Sequence, residues 1–141
     1  MKIPGLDFFE IEELVHPDIF ETFGERSIHF LDPAMLRTIV AIRKKFGPIV
    51  INDWMWGGNF RFSGLRPMDS TVGAKYSMHK YGKAADCKSE KYTPAEMQEF
   101  ILANPHCFPD LRRMENVSHT PTWLHIDTAN TTDAGIVVFK P

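Results

Sequence analysis

The segment from Asp32 to Pro48 constrains the fold more than any other part of the chain. Asp32 is a good N-cap and Pro33 suits the first helical position. Met35, Leu36, Ile39, Val40 and Phe46 then recur on one face, which predicts a helix from about Pro33 to Phe46. Lys44 and Lys45 complement its negative end, and Gly47-Pro48 stops it. The apolar run Ile49-Val50-Ile51 follows at once and reads as a buried strand ending at Asn52-Asp53.

Residues 54–82 are irregular and carry Gly57, Gly58, Gly64, Pro67, Gly73 and Gly82; loops this long inside compact folds tend to be functional. Ala84 to Lys88 reads as a strand. Thr93-Pro94-Ala95-Glu96 is a capping box, opening a helix that turns Met97, Phe100 and Ile101 inward and stops before Asn104-Pro105. Leu111 to Asn116 and Thr122 to Asp127 are further strand candidates, and Ile136 to Phe139 is a last edge strand. The first 31 residues are expected to form a helical extension, with Phe8, Phe9, Ile19, Phe20 and Phe23 anchoring it on the body. The pattern predicts an α+β fold, with a mostly antiparallel sheet and flanking helices.

A length of 141 residues with 43% hydrophobic composition fits one domain spanning residues 1–141. A formal charge of −2 argues against a dedicated nucleic-acid binder, and no apolar run is long enough for a membrane span. Met1-Lys2-Ile3-Pro4-Gly5-Leu6-Asp7 does not resemble a signal peptide, which predicts synthesis in the cytoplasm without one. Cys87 and Cys107 are too few for a disulfide framework and are expected to be reduced. Cys87 is expected in the core.

His79, Asp86 and His125 are the candidates for a metal site. His79 ends the glycine-rich loop, and Asp86 shares one face of its strand with Ala84 and Lys88. In the late strand Trp123, His125 and Asp127 share one face while Leu124 and Ile126 point into the core. Each candidate also has a plain structural explanation: a loop histidine, a carboxylate bound to backbone N–H groups, a strand histidine satisfied by Asp127. Their joint ability to converge favours the metal.

Ser77-Met78-His79-Lys80-Tyr81-Gly82-Lys83-Ala84-Ala85-Asp86 fits S-x-H-x-x-G-x-A-x-D. It resembles the signature of the zinc D-alanyl-D-alanine carboxypeptidase family, which includes phage endolysins and shares its fold with the Hedgehog signalling domain. Ser63-Gly64-Leu65-Arg66-Pro67 is similar to that family's S-G-Y-R-[ST] segment, with leucine in place of tyrosine. Trp123-Leu124-His125-Ile126-Asp127 resembles its final W/F-V-H-V-D strand, so the likeness covers residues 32–127.

The resemblance implies a Hedgehog/DD-peptidase-like fold and a zinc peptidase acting beside D-amino acids in peptidoglycan stem peptides or cross-links. His79, Asp86 and His125 would be the Zn²⁺ ligands, acidifying a water and polarising the scissile carbonyl; other divalent ions also suit two imidazoles and a carboxylate. Arg66 would pair with a substrate carboxylate or the developing oxyanion, and Ser77 would support substrate or backbone. Asp127 would orient a neighbouring group. Tyr76 and Arg61 are further groove candidates, with Trp54, Trp56, Phe60 and Tyr81 crowding the same loop.

Many family members carry glutamate three residues before the last zinc histidine, where this chain has Thr122. Threonine cannot take a proton at neutral pH. Glu115 and His119 are the substitutes. Glu115 is preferred: with a turn at residues 117–121 it pairs with Trp123 and shares the face of His125. The departure at position 122 also admits a zinc-binding module without catalysis, and a phage structural component on the same scaffold is the third reading. The expected partner is a peptidoglycan peptide, reached by a phage-type enzyme without a wall-binding repeat.

Overall fold

The computed structural model of the chain describes residues 2–3 and 6–141. It is a mixed α+β fold with three α-helices and a five-stranded, mostly antiparallel sheet. The chain opens with β1 (Lys2–Ile3) and β2 (Leu6–Glu10), which pair antiparallel. A 3₁₀ turn at Ile11–Glu13, helix α1 (Pro17–Phe23) and a 3₁₀ segment at Gly24–Phe30 follow. The extension expected to be helical therefore begins as a β-ribbon. Phe8 and Phe9 alternate between surface and core, the two-residue period of a strand. Of the expected anchors, Phe9 is in the core and Ile19 and Phe20 pack against it, while Phe8 and Phe23 remain exposed.

Helix α2 (Pro33–Phe46) has the predicted bounds. Asp32 Oδ1 accepts from the Ala34 N–H at 3.2 Å, and Gly47 closes the other end. Met35, Ile39, Ile42 and Phe46 form its buried stripe; Leu36 and Val40 are only partly covered. The following strand β3 (Ile49–Val50) lies at the sheet edge: Ile49 and Ile51 are buried as expected, while Val50 is exposed. Strand β4 (Ala84–Ser89), helix α3 (Pro94–Ala103), β5 (Arg113–Glu115), β6 (Leu124–Asp127) and β7 (Val137–Phe139) complete the fold. The Thr93/Glu96 capping box of α3 is formed in both directions.

The strand order is β3-β4-β6-β5-β7. Every neighbouring pair is antiparallel except β5 and β7, which are parallel, because the chain crosses from β6 back past β5 before β7 begins. Helices α2 and α3 cover the sheet, with Ile39, Ile42, Met97 and Ile101 meeting Cys87, Met114, Leu124 and Ile126 in one buried cluster. The long loop is sewn to the body: Leu65 exchanges backbone hydrogen bonds with Leu14 and His16, and the Asp86 N–H donates to Ser63 O at 2.8 Å. A Cβ on Gly64 would lie 2.2 Å from Leu14 O, so glycine is what permits this close approach. Among the described residues no helix is long and apolar enough to cross a membrane. Both cysteines are free thiols, Cys87 buried and Cys107 exposed; burial pushes the Cys87 thiol up to about 12.

Candidate metal centre

The two central strands bring the site together. β4 and β6 pair with Asp86 directly opposite His125, so two residues 39 apart in sequence share one face of the sheet. The third group comes from the 3₁₀ turn at Met78–Tyr81, which Ser77 caps by accepting the His79 N–H at 3.3 Å. His79 Nε2 lies 3.2 Å from Asp86 Oδ1, and His125 Nδ1 lies 3.0 Å from the same oxygen. One potential ligand atom from each residue falls within 4.8 Å of the other two, and all three residues are buried.

The outer nitrogens decide what the inner ones present. His79 Nδ1 is 2.9 Å from Gly64 O. A carbonyl only accepts, so Nδ1 carries the hydrogen and, in the neutral ring, Nε2 faces Asp86 with its lone pair. His125 Nε2 is 2.9 Å from Asp127 Oδ2, which assigns its hydrogen in the same way and turns Nδ1 inward. The neutral imidazoles and ionised Asp86 would thus present acceptors to one another, an arrangement that needs a proton or a cation between them. The donor set fits a divalent ion: two imidazole nitrogens and a carboxylate, each ring held through its other nitrogen.

The charges behave accordingly. Burial lowers the pKa of His79 despite Asp86 beside it. Burial also opposes charge on His125, but hydrogen bonds to Asp127 and Asp86 outweigh it and push that imidazole up to about 9. For Asp86, burial is again outweighed, here by the two histidines, and the carboxyl is held well below the usual carboxylate range. Asp127 is likewise held low against its burial by His125 and by Arg113, which grips it through two hydrogen bonds of 2.9 Å.

The cluster floors a cleft of about 470 Å³, also lined by Arg66, Tyr76, Ser77, Glu115, Trp123 and Phe139. Arg66 is buried, donating from Nε to Phe62 O at 2.6 Å and from Nη1 to Val72 O at 3.2 Å, with Nη2 3.6 Å from Asp86 Oδ2. Tyr76 stands exposed at the rim. Glu115 is half-buried and accepts no hydrogen bond on its carboxylate among the described residues.

The expected pairing of Glu115 with Trp123 is corrected. Arg113 pairs with Asp127 and Met114 with Ile126, a register that carried one residue further sets Glu115 opposite His125. β6 begins at Leu124 and not Thr122, because the turn before it is longer than residues 117–121; Trp123 lies in that turn. The two registers differ by an even number of residues, so Glu115 keeps the face of His125.

His119 is exposed in the same turn and Arg61 on the glycine-rich loop, and neither lines the cleft. Trp54 instead donates to Val15 O at 3.0 Å, and Phe60 lies under Lys88, whose Nζ is 4.1 Å from the ring centroid. Three participants escaped the sequence reading: the Gly64 carbonyl, Arg113 and Phe139. Arg113 was within reach of it, since correct β5–β6 pairing places this arginine opposite Asp127.

The fold and site define a class, an α+β protein with a buried His–Asp–His cluster that could hold a metal ion. No protein-family model, curated protein or solved structure matches the chain.

Proposed function

We propose that the protein is a zinc-dependent peptidase that hydrolyses peptide bonds next to D-amino acids in bacterial peptidoglycan, as the resemblance to the zinc D-alanyl-D-alanine carboxypeptidases implies. The observation that carries this reading is the convergence of His79 Nε2, His125 Nδ1 and Asp86 Oδ1 on the floor of a cleft that Arg66 and Glu115 also line. A divalent cation held by those three residues would supply Lewis-acid polarisation of the scissile carbonyl and would lower the pKa of a water.

The chain's own groups divide the remaining work. Glu115, on the strand beside His125 and with its charge felt by Arg66, makes no carboxylate hydrogen bond among the described residues, so it can take the proton of the attacking water and return it to the leaving amine. It fills from β5 the role that Thr122, exposed ahead of β6, cannot fill. Arg66 is fixed by Phe62 O and Val72 O, so that its Nη2, 3.6 Å from Asp86 Oδ2, would meet an anionic group of the substrate beside the cluster. Asp127 and the Gly64 carbonyl hold the two rings in the tautomers the site needs.

Thr122 favours one other reading, a zinc-binding module without catalysis. Digestion of purified peptidoglycan followed by mass spectrometry of the released peptides separates the two. The zinc-loaded protein is expected to release shortened stem peptides, and Glu115→Gln to slow this by about 10²- to 10⁴-fold with zinc content unchanged. No product from the zinc-loaded wild type would establish the module instead. Full activity in Glu115→Gln would remove Glu115 from the mechanism.

A further inference from the structure

Arg113 has no role in the chemistry above, yet both ends of its guanidinium fork are engaged at the edge of the cleft. Its Nε and Nη2 each donate to one oxygen of Asp127 at 2.9 Å. Its guanidinium lies 4.2 Å from the centre of the Phe139 ring. Both of these partners touch His125: Asp127 Oδ2 is 2.9 Å from Nε2, and Phe139 meets the imidazole edge-on with centroids 5.6 Å apart. One side chain on β5 thus braces His125 from two directions, through the carboxylate that orients the ring and through the ring that packs on it.

We propose that Arg113 is a positioning residue for the metal centre, fixing the orientation and tautomer of His125 so that Nδ1 faces Asp86 and a bound divalent ion. The physical argument concerns Asp127. Its side chain is fully buried, and it must remain an oriented acceptor for His125 Nε2–H. Without Arg113, Oδ1 would keep only the longer hydrogen bond from the Ala129 N–H, at 3.2 Å, and Oδ2 only His125. The two-pronged grip of an arginine fixes both oxygens, so that Oδ2 stays on the imidazole. If Asp127 turns away, His125 can carry its hydrogen on Nδ1 or rotate, and either change removes one of three donors from the site. Groups that orient metal ligands in this way commonly change metal affinity by about 10- to 100-fold when replaced.

The structure supplies its own control. Arg37 makes the same kind of paired contact with Asp110, at 2.9 and 3.3 Å, on an exposed surface. The two arginines differ in what their carboxylate touches next.

This inference rests on the metal-binding reading, and the test keeps the two apart. The 141-residue chain is stripped with chelator and titrated with Zn²⁺ against a chromophoric competitor. The wild type is compared with Arg113→Met, Arg113→Lys and Arg37→Met, with folding of each checked by circular dichroism. The expected result is a loss of about 10- to 100-fold in Zn²⁺ affinity for Arg113→Met. Partial recovery is expected for Arg113→Lys, which keeps the charge without the fork, and no change for Arg37→Met. Should Arg113→Met not fold, the Arg113→Lys comparison decides: affinity below wild type supports the positioning role, and wild-type affinity refutes it. Undiminished affinity in a folded Arg113→Met, or an equal loss in Arg37→Met, would overturn the proposal while leaving the metal centre standing. A wild type that takes up no Zn²⁺ would end the metal-binding reading, and this inference with it.

Discussion

Raising the pH in the presence of a chelator isolates what His125 contributes to stability. This imidazole is 7% exposed and lies between two carboxylates, Asp86 at 3.0 Å and Asp127 at 2.9 Å. Burial alone would lower its pKa, but the carboxylates push it up from 6.5 to about 9. Moving a pKa that far corresponds to about 3 kcal/mol favouring the protonated folded state. Because the folded value lies above the unfolded one, this contribution is fully present below about pH 6.5 and is lost as pH rises through about 9. Lys88 works in the opposite sense at the alkaline end, since burial lowers its pKa. The quantity to read is therefore the difference between the wild type and His125→Gln. Urea unfolding in the presence of chelator, at about pH 6 and about pH 10, should show the wild type losing roughly 3 kcal/mol more than the variant. Zinc at a hundredfold excess over its dissociation constant should restore about 2.7 kcal/mol. Its affinity should rise with pH, since it competes with the imidazole proton. Parallel decline of wild type and His125→Gln would refute the argument.

Two glycines give independent checks. Gly73 has φ +76°, and a Cβ there would lie 2.4 Å from Arg66 Nη1, a group already pinned by Phe62 O and Val72 O. Gly73→Ala should cost about 1–2 kcal/mol in backbone strain. By displacing Arg66 it should also raise KM for a carboxylate-bearing peptide about tenfold, a loss of roughly 1.4 kcal/mol, while Zn²⁺ affinity holds. Gly64→Ala meets backbone instead, at Leu14 O, where nothing flexible can yield. It should destabilise by about 1–3 kcal/mol in urea unfolding and also weaken Zn²⁺ binding, because the Gly64 carbonyl orients His79.

Among the site residues, the candidate ligands are more legible in the sequence than their supports. His79 and Asp86 stand seven residues apart in one motif, and His125 sits in a strand with aliphatic neighbours on its other face, so chemistry and local pattern both point to them. Arg113 and Phe139 carry no local mark. Their importance arises from β5 lying between β6 and β7, a pairing with partners 14 and 24 residues away. Glu115 lies between these cases: its face was legible by alternation, while its partner across the ladder was not, because the length of the turn before β6 sets the register.

The elements governed by neighbouring residues follow from the amino-acid order itself. Helix α2 begins at its Asp32 cap and ends at Gly47, and α3 starts on its capping box, because caps and stop signals act within about one turn of the backbone. The tertiary structure alone decides the N-terminal ribbon, the parallel pairing of β7 with β5, and the exposure of β3 at the sheet edge. It also decides the direction of the His79 nitrogens, since Gly64 O reaches that ring only after the loop has closed on Leu14, whereas the His125–Asp127 contact is local to β6 and is held from outside by Arg113 on β5. Hydrogen bonds between residues distant along the chain, from His79 to Gly64, His125 to Asp86 and Arg113 to Asp127, exist only once loop and sheet have assembled, and they complete the orientation of the candidate metal-binding atoms.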